Sequence, residues 1–69
     1  MTIALKYVKS FDCYEKIEGD DYMRFLSGDD MMTRGNYLEV FMKNGSKVVL
    51  DNNIDVADFL YGYSVYKGI

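Results

Sequence analysis

The chain has 69 residues, eight basic and eleven acidic side chains, a formal charge of −3 and no histidine. A chain this short forms a single domain over residues 1–69 and is marginal unless a well packed core or oligomerisation adds burial. Cys13 is the only cysteine, which excludes an internal disulfide and, with histidine absent, leaves no ligand set for structural zinc. Apolar residues at 49% and aromatics at 16% are too many for a disordered acidic tail. Met1 to Val8 carries no apolar run of signal-peptide length, and no stretch is long enough to span a bilayer. A lone cysteine without a signal sequence fits a reducing, cytoplasmic setting.

In chain order, Ile3, Leu5 and Tyr7 alternate with Thr2, Ala4 and Lys6, which predicts a strand over 2–9. Residues 10–18 fit two periods: Phe11 and Cys13 step by two, while Phe11, Tyr14 and Ile17 step by three behind Ser10 as a cap. Gly19 ends that element. Asp20 or Asp21 then caps a short helix with Tyr22, Phe25 and Leu26 on one face, and Gly28 stops it. Residues 28–36 read as a loop.

Asn44-Gly45 is the strongest turn signal, because a type I′ hairpin needs positive φ at both central residues. Two-residue closure places Val40 opposite Val49 and Leu38 opposite Asp51. Phe41, Val48 and Leu50 then share one face, and Leu38, Val40, Met42 and Val49 the other. Both faces are apolar, so the second is assigned to a homodimer seam. Asp51, Asn52 and Asn53 supply helix caps, and Val56, Phe59, Leu60 and Tyr63 follow amphipathic helical spacing. Residues 63–67 fit either a continuation of that helix or a terminal strand released at Gly62, and the strand is the favoured expectation. The fold class is α+β: an antiparallel sheet of three to four strands including the Asn44-Gly45 hairpin, with one or two short helices.

Charge is unevenly spread. Between Ser10 and Asp30, the seven acids Asp12, Glu15, Glu18, Asp20, Asp21, Asp29 and Asp30 face only Lys16 and Arg24, a net of −5. The rest of the chain carries +2. Within this segment Gly19-Asp20-Asp21-Tyr22-Met23 is echoed by Gly28-Asp29-Asp30-Met31-Met32. The pairs lack the alternating spacing of a calcium loop; as structure, Asp20 and Asp29 read as helix caps, and no metal or cofactor is assigned. With no histidine beside Cys13 or any serine, and no glycine-rich phosphate loop, the chain is not read as an enzyme. Lys6, Lys9, Lys43 and Lys47 lie among Tyr7, Tyr37 and Phe41, yet the negative total argues against direct nucleic-acid binding. Tyr7 and Tyr63 are assigned to the core, Tyr14 and Tyr22 to an interface.

In size, acidity and lack of catalytic residues the chain resembles the small inhibitors that bacteriophages make against host nucleic-acid enzymes, including anti-CRISPR proteins and uracil-DNA glycosylase inhibitors. That resemblance implies a DNA-mimicking inhibitor or adaptor whose carboxylates occupy a basic cleft of a protein partner. The expected contact residues are Glu15, Glu18, Asp20, Asp21, Tyr22, Asp29 and Asp30. The alternatives are a homodimer holding a small ligand in a tyrosine-lined pocket and a structural subunit of a larger assembly.

Overall fold

A computed structural model describes residues 3–25 and 30–68. It has an α+β architecture: an antiparallel sheet of four strands in the order β2-β1-β3-β4, with its helices packed on one face. The strands are β1 (Val8–Glu18), β2 (Asp21–Arg24), β3 (Tyr37–Met42) and β4 (Lys47–Leu50). The helices are α1 (Met31–Arg34), a single turn, and α2 (Asn53–Lys67).

β1 holds the sheet together. Its first half pairs with β3, from Val8 opposite Met42 to Tyr14 opposite Tyr37, and its second half pairs with β2, from Tyr14 opposite Arg24 to Glu18 opposite Asp21. The two readings of residues 10–18 are thereby decided for strand. The strand starts later than predicted, however, because Tyr7 N–H donates to the Ala4 carbonyl at 3.0 Å and closes a 3-10 turn over Leu5–Tyr7. Tyr7 is exposed rather than in the core.

The β3–β4 hairpin departs from the predicted register by one residue. Leu38 lies opposite Leu50, and Val40 opposite Val48. Met42 N–H donates to the Ser46 carbonyl and Gly45 N–H to the Met42 carbonyl, which makes the loop three residues long, Lys43-Asn44-Gly45. Gly45 has φ +92°, while Asn44 keeps an ordinary negative φ and accepts hydrogen bonds from Ser46 N–H and Oγ. A type I′ turn is therefore ruled out; the pattern is a type I turn closed by a glycine bulge. A one-residue slip moves every side chain of one strand to the other face. Leu38, Val40, Val48 and Leu50 consequently share the inner face with Phe11 and Cys13, and Glu39, Phe41 and Val49 share the outer one.

The core consists of Val8, Cys13, Leu38, Val40 and Leu50 from the sheet and Val56, Phe59 and Leu60 from α2. Leu38 and Val40 are fully buried inside the subunit, so neither forms a dimer seam; Met42 is half-buried beside the same core, and Val49 lies on the opposite face. α2 opens with Asn52 as its cap, whose Oδ1 accepts from Asp55 N–H at 2.9 Å. It runs through Gly62 to Lys67, and the predicted terminal strand is absent. Tyr63 accounts for the continuation: its ring packs 5.1 Å from Phe11 and 5.8 Å from Phe59, burial that outweighs the roughly 1 kcal/mol cost of a helical glycine. Among the described residues no helix is long and apolar enough to cross a membrane.

Candidate binding surface

No helix of the described residues covers the outer face of the sheet, and three tyrosines meet there. In an antiparallel sheet residues directly opposite one another point the same way. Tyr14 stands between Arg24 on β2 and Tyr37 on β3, and Tyr22 stands opposite Lys16 one step along. The three rings pack at tilted or edge-to-face angles: Tyr14 lies 6.2 Å from Tyr22 and 5.8 Å from Tyr37, and Tyr22 lies 5.0 Å from Tyr37. With Glu39 they line a depression of about 280 Å³. Tyr22 is the most open of the three, at 44% exposure.

Two ion pairs flank the tyrosines. Arg24 reaches Asp12 at 2.9 Å, and Lys47 reaches Glu39 at 3.3 Å. Tyr14 donates its phenolic proton to Glu39 Oε1 at 3.4 Å. Burial pushes the Tyr14 phenol above its ordinary value; the Glu39 and Asp12 carboxylates add to that rise, and Arg24 opposes it. Tyr14 is therefore a neutral hydrogen-bond donor at physiological pH.

Beyond the tyrosines the β1–β2 hairpin ends in Glu18-Gly19-Asp20-Asp21. Residues 20–26 were predicted as a capped helix; instead Gly19, at φ +58°, turns the chain and Asp21–Arg24 return as a strand, with Phe25 N–H donating to the Cys13 carbonyl at 2.9 Å. The alternation of Tyr22 and Arg24 outward with Met23 and Phe25 inward wins over a helical period that only three residues support. Leu26, at the end of that helix prediction, lies outside the described residues. The irregularity between Lys16 and Glu18 leaves Ile17 exposed beside the tip. Lys16 N–H is taken up by Asn36 Oδ1 at 2.7 Å, which anchors the arm where it leaves β3.

The seven predicted partner-binding residues divide. Glu18, Asp20, Asp21 and Tyr22 are exposed together on the hairpin, and the three carboxylates form no ion pair among the described residues. Glu15 is bound by Arg34 at 2.6 Å, and Asp30 lies 3.7 Å from the same guanidinium, so both are tied to α1 rather than presented at the tip. Asp29 lies outside the described residues. The capping role read for Asp20 does not hold, since no helix follows it, and Asp30 precedes α1 without a side-chain cap bond. Tyr37, Glu39, Asp12 and Arg24 escaped the sequence reading of this surface. The alternation of Tyr37, Glu39 and Phe41 against Leu38, Val40 and Met42 was the signal for the β3 members.

Cys13 is buried beneath the opposite face, and that burial pushes its thiol above the ordinary range, against a smaller lowering by the Tyr14 backbone. It is a packing residue. Among the described residues no three of Cys, Asp and Glu converge as a metal site. The comparisons leave this surface to be read on its own chemistry: no protein-family model, no curated protein and no solved structure matches the chain.

Proposed function

We propose that the chain is a protein-binding inhibitor or adaptor that presents the β1–β2 hairpin, acidic tip first, to a basic cleft of a partner. One observation carries this reading: Glu18, Asp20 and Asp21 stand without ion-pair partners among the described residues, directly beside a tyrosine cluster on an uncovered sheet face. Carboxylates at a protruding tip raise the rate of encounter with a positive surface. Tyrosines supply the contact that follows, because each joins a large apolar body to a polar end and loses little entropy on binding. A cleft built by a nucleic-acid enzyme for phosphates offers the matching lysines and arginines.

The test is a parallel capture from host lysate with four baits: wild type, the Asp20→Lys/Asp21→Lys double variant, Tyr22→Ala and Lys43→Ala. Proteins held by the wild type and by Lys43→Ala, and lost from the other two, are the expected result. Association of the recovered partner should slow steeply as ionic strength rises from about 0.05 to about 0.5 M. Capture that survives the aspartate reversal and fails with Lys43→Ala would place binding on the basic side of the molecule instead. Lys47 is not a neutral control, since it holds Glu39 at the tyrosine cluster. A small ligand on the same tyrosines is favoured by the 280 Å³ depression, and its binding would change little over that salt range.

A further inference from the structure

A second surface, remote from the hairpin in sequence and independent of the reading above, lies along α2. At 100° per residue, Val56, Phe59, Leu60 and Tyr63 occupy one side of the helix, and they pack into the core. Ile54, Asp58, Tyr61 and Val65 fall within an arc of about 60° on the opposite side. That side is exposed, with Ile54 at 70%, Tyr61 at 64% and Val65 at 48%. The helix is thus apolar on two sides, which a helix packed on one core does not require. The outer stripe advances by four, three and four residues, the spacing of a seam between two helices.

We infer that this stripe is the seam of a homodimer in which the α2 helices of two copies pack antiparallel. The occupant follows from the order of the four side chains. With one helix reversed and the two-fold axis between residues 59 and 60, Ile54 meets Val65 of the second copy, and Asp58 meets Tyr61. Apolar side chains face each other at both ends, and in the middle a carboxylate acceptor faces a phenol donor. A parallel pairing sets Asp58 against Asp58, two like charges in contact, and aligns the helix dipoles unfavourably. The stripe is therefore self-complementary in one direction only. A domain of this size also gains by it, since its own core is small. Four side chains per copy cover less than a standard interface, so the association is expected at a dissociation constant on the order of tens of micromolar.

Sedimentation velocity over a concentration series tests this, with Ile54→Lys, Val65→Glu and the double variant carrying both changes. All replace exposed side chains, so melting curves recorded well below the expected dissociation constant, where wild type is also monomeric, should match and show that each variant is folded. The wild type should pass from monomer to dimer. Each single variant should weaken association by on the order of tenfold or more, because it sets a charge against an apolar residue at both ends of the seam. The double variant should recover most of the loss, since the antiparallel register brings each new lysine onto a new glutamate of the other copy. A wild type that stays monomeric to about ten times the expected dissociation constant overturns the inference. A dimer untouched by the single changes, or single losses that the double variant does not restore, overturns it equally.

Discussion

Among the described glycines, Gly35, which follows α1, is the one least able to accept an added carbon. A Cβ built there would sit 2.5 Å from the Met31 carbonyl oxygen, 2.7 Å from Cys13 Sγ and 3.3 Å from Val56 Cγ1. The first is backbone, held in place because Gly35 N–H donates to that same carbonyl at 2.8 Å. The second belongs to a fully packed thiol. The backbone itself is no obstacle, since φ −66° suits alanine, so Gly35→Ala isolates the steric cost. Forcing a carbon into a close-packed site costs about 1–3 kcal/mol, and the stiffer unfolded chain returns about 0.4–1 kcal/mol. The net loss is about 1–2 kcal/mol, a large part of the roughly 3–10 kcal/mol available to a domain of this length. At about 4–8 °C per kcal/mol, thermal unfolding followed by circular dichroism should drop by about 5–15 °C. Cys13→Ala in the same background removes the sulfur contact and leaves the carbonyl contact. The double variant should therefore lose less than the two single losses combined, by about 0.5–1 kcal/mol. An unchanged or raised melting temperature for Gly35→Ala would refute the packing of α1 against β1 described above.

Two further outcomes follow from the turn and from the buried thiol. Gly45→Val places a β-branched residue at φ +92° and should cost about 1–2 kcal/mol in chemical denaturation; an unchanged midpoint would mean that the loop does not hold this glycine in the left-handed region. Because the folded state holds the Cys13 thiol above its ordinary value of 9.0, the unfolded chain gives up that proton first. The associated stability is complete below pH 9 and declines as pH climbs through 9 toward the folded value. Urea midpoints measured from pH 7 to about 9.5 should show the onset of this decline in wild type and not in Cys13→Ala, because the Tyr14 contribution, of the same sign, enters only near its ordinary value of 10.0. Identical pH profiles for the two proteins would remove Cys13 as the cause.

How far the sequence carries the fold can be seen at three places. The turn at Asn44-Gly45 is legible, but the loop length is not, because the same dipeptide closes a type I′ turn or a type I turn with a bulge. Burial decides between them. The observed register joins Leu38 to Leu50 and Val40 to Val48 on one face, and the alternative sets Leu38 against Asp51. At residues 20–26 the two-residue turn and the pairing to β1 are long-range facts, and local helical spacing had nothing to oppose it. At Gly62 the local rule for ending a helix gives way to Tyr63, whose aromatic neighbours Phe11 and Phe59 come from β1 and from one turn back on α2. Of the candidate surface, Glu18, Asp20, Asp21 and Tyr22 were legible as a charged stretch with an aromatic. Tyr37 and Glu39 were legible as one side of an alternating strand, and the β1–β3 register brings that side to Tyr14.

The charge map also changes meaning once the chain is folded. Counted along the sequence, the segment from Ser10 to Asp30 carries a net −5, but Arg34 lies just beyond it and turns back onto Glu15 and Asp30. Exposed pairs of this kind add at most about 1 kcal/mol to stability. Their larger effect is on the field, because a closed pair is felt at a distance only as a dipole. Asp12 with Arg24 and Glu39 with Lys47 do the same on either side of the tyrosines, leaving that face close to neutral. At this end of the sheet the charge left outside ion pairs among the described residues is therefore Glu18, Asp20 and Asp21 at the point of the hairpin, against Lys16 alone. Their field reaches about one Debye length, roughly 10 Å at 0.1 M salt, whereas the tyrosines act only at contact. On the proposed partner-binding reading, steering falls to the hairpin tip and adhesion to the tyrosines, so substitutions at the tip should act on the rate of association and those at Tyr22 and Tyr37 on the rate of release.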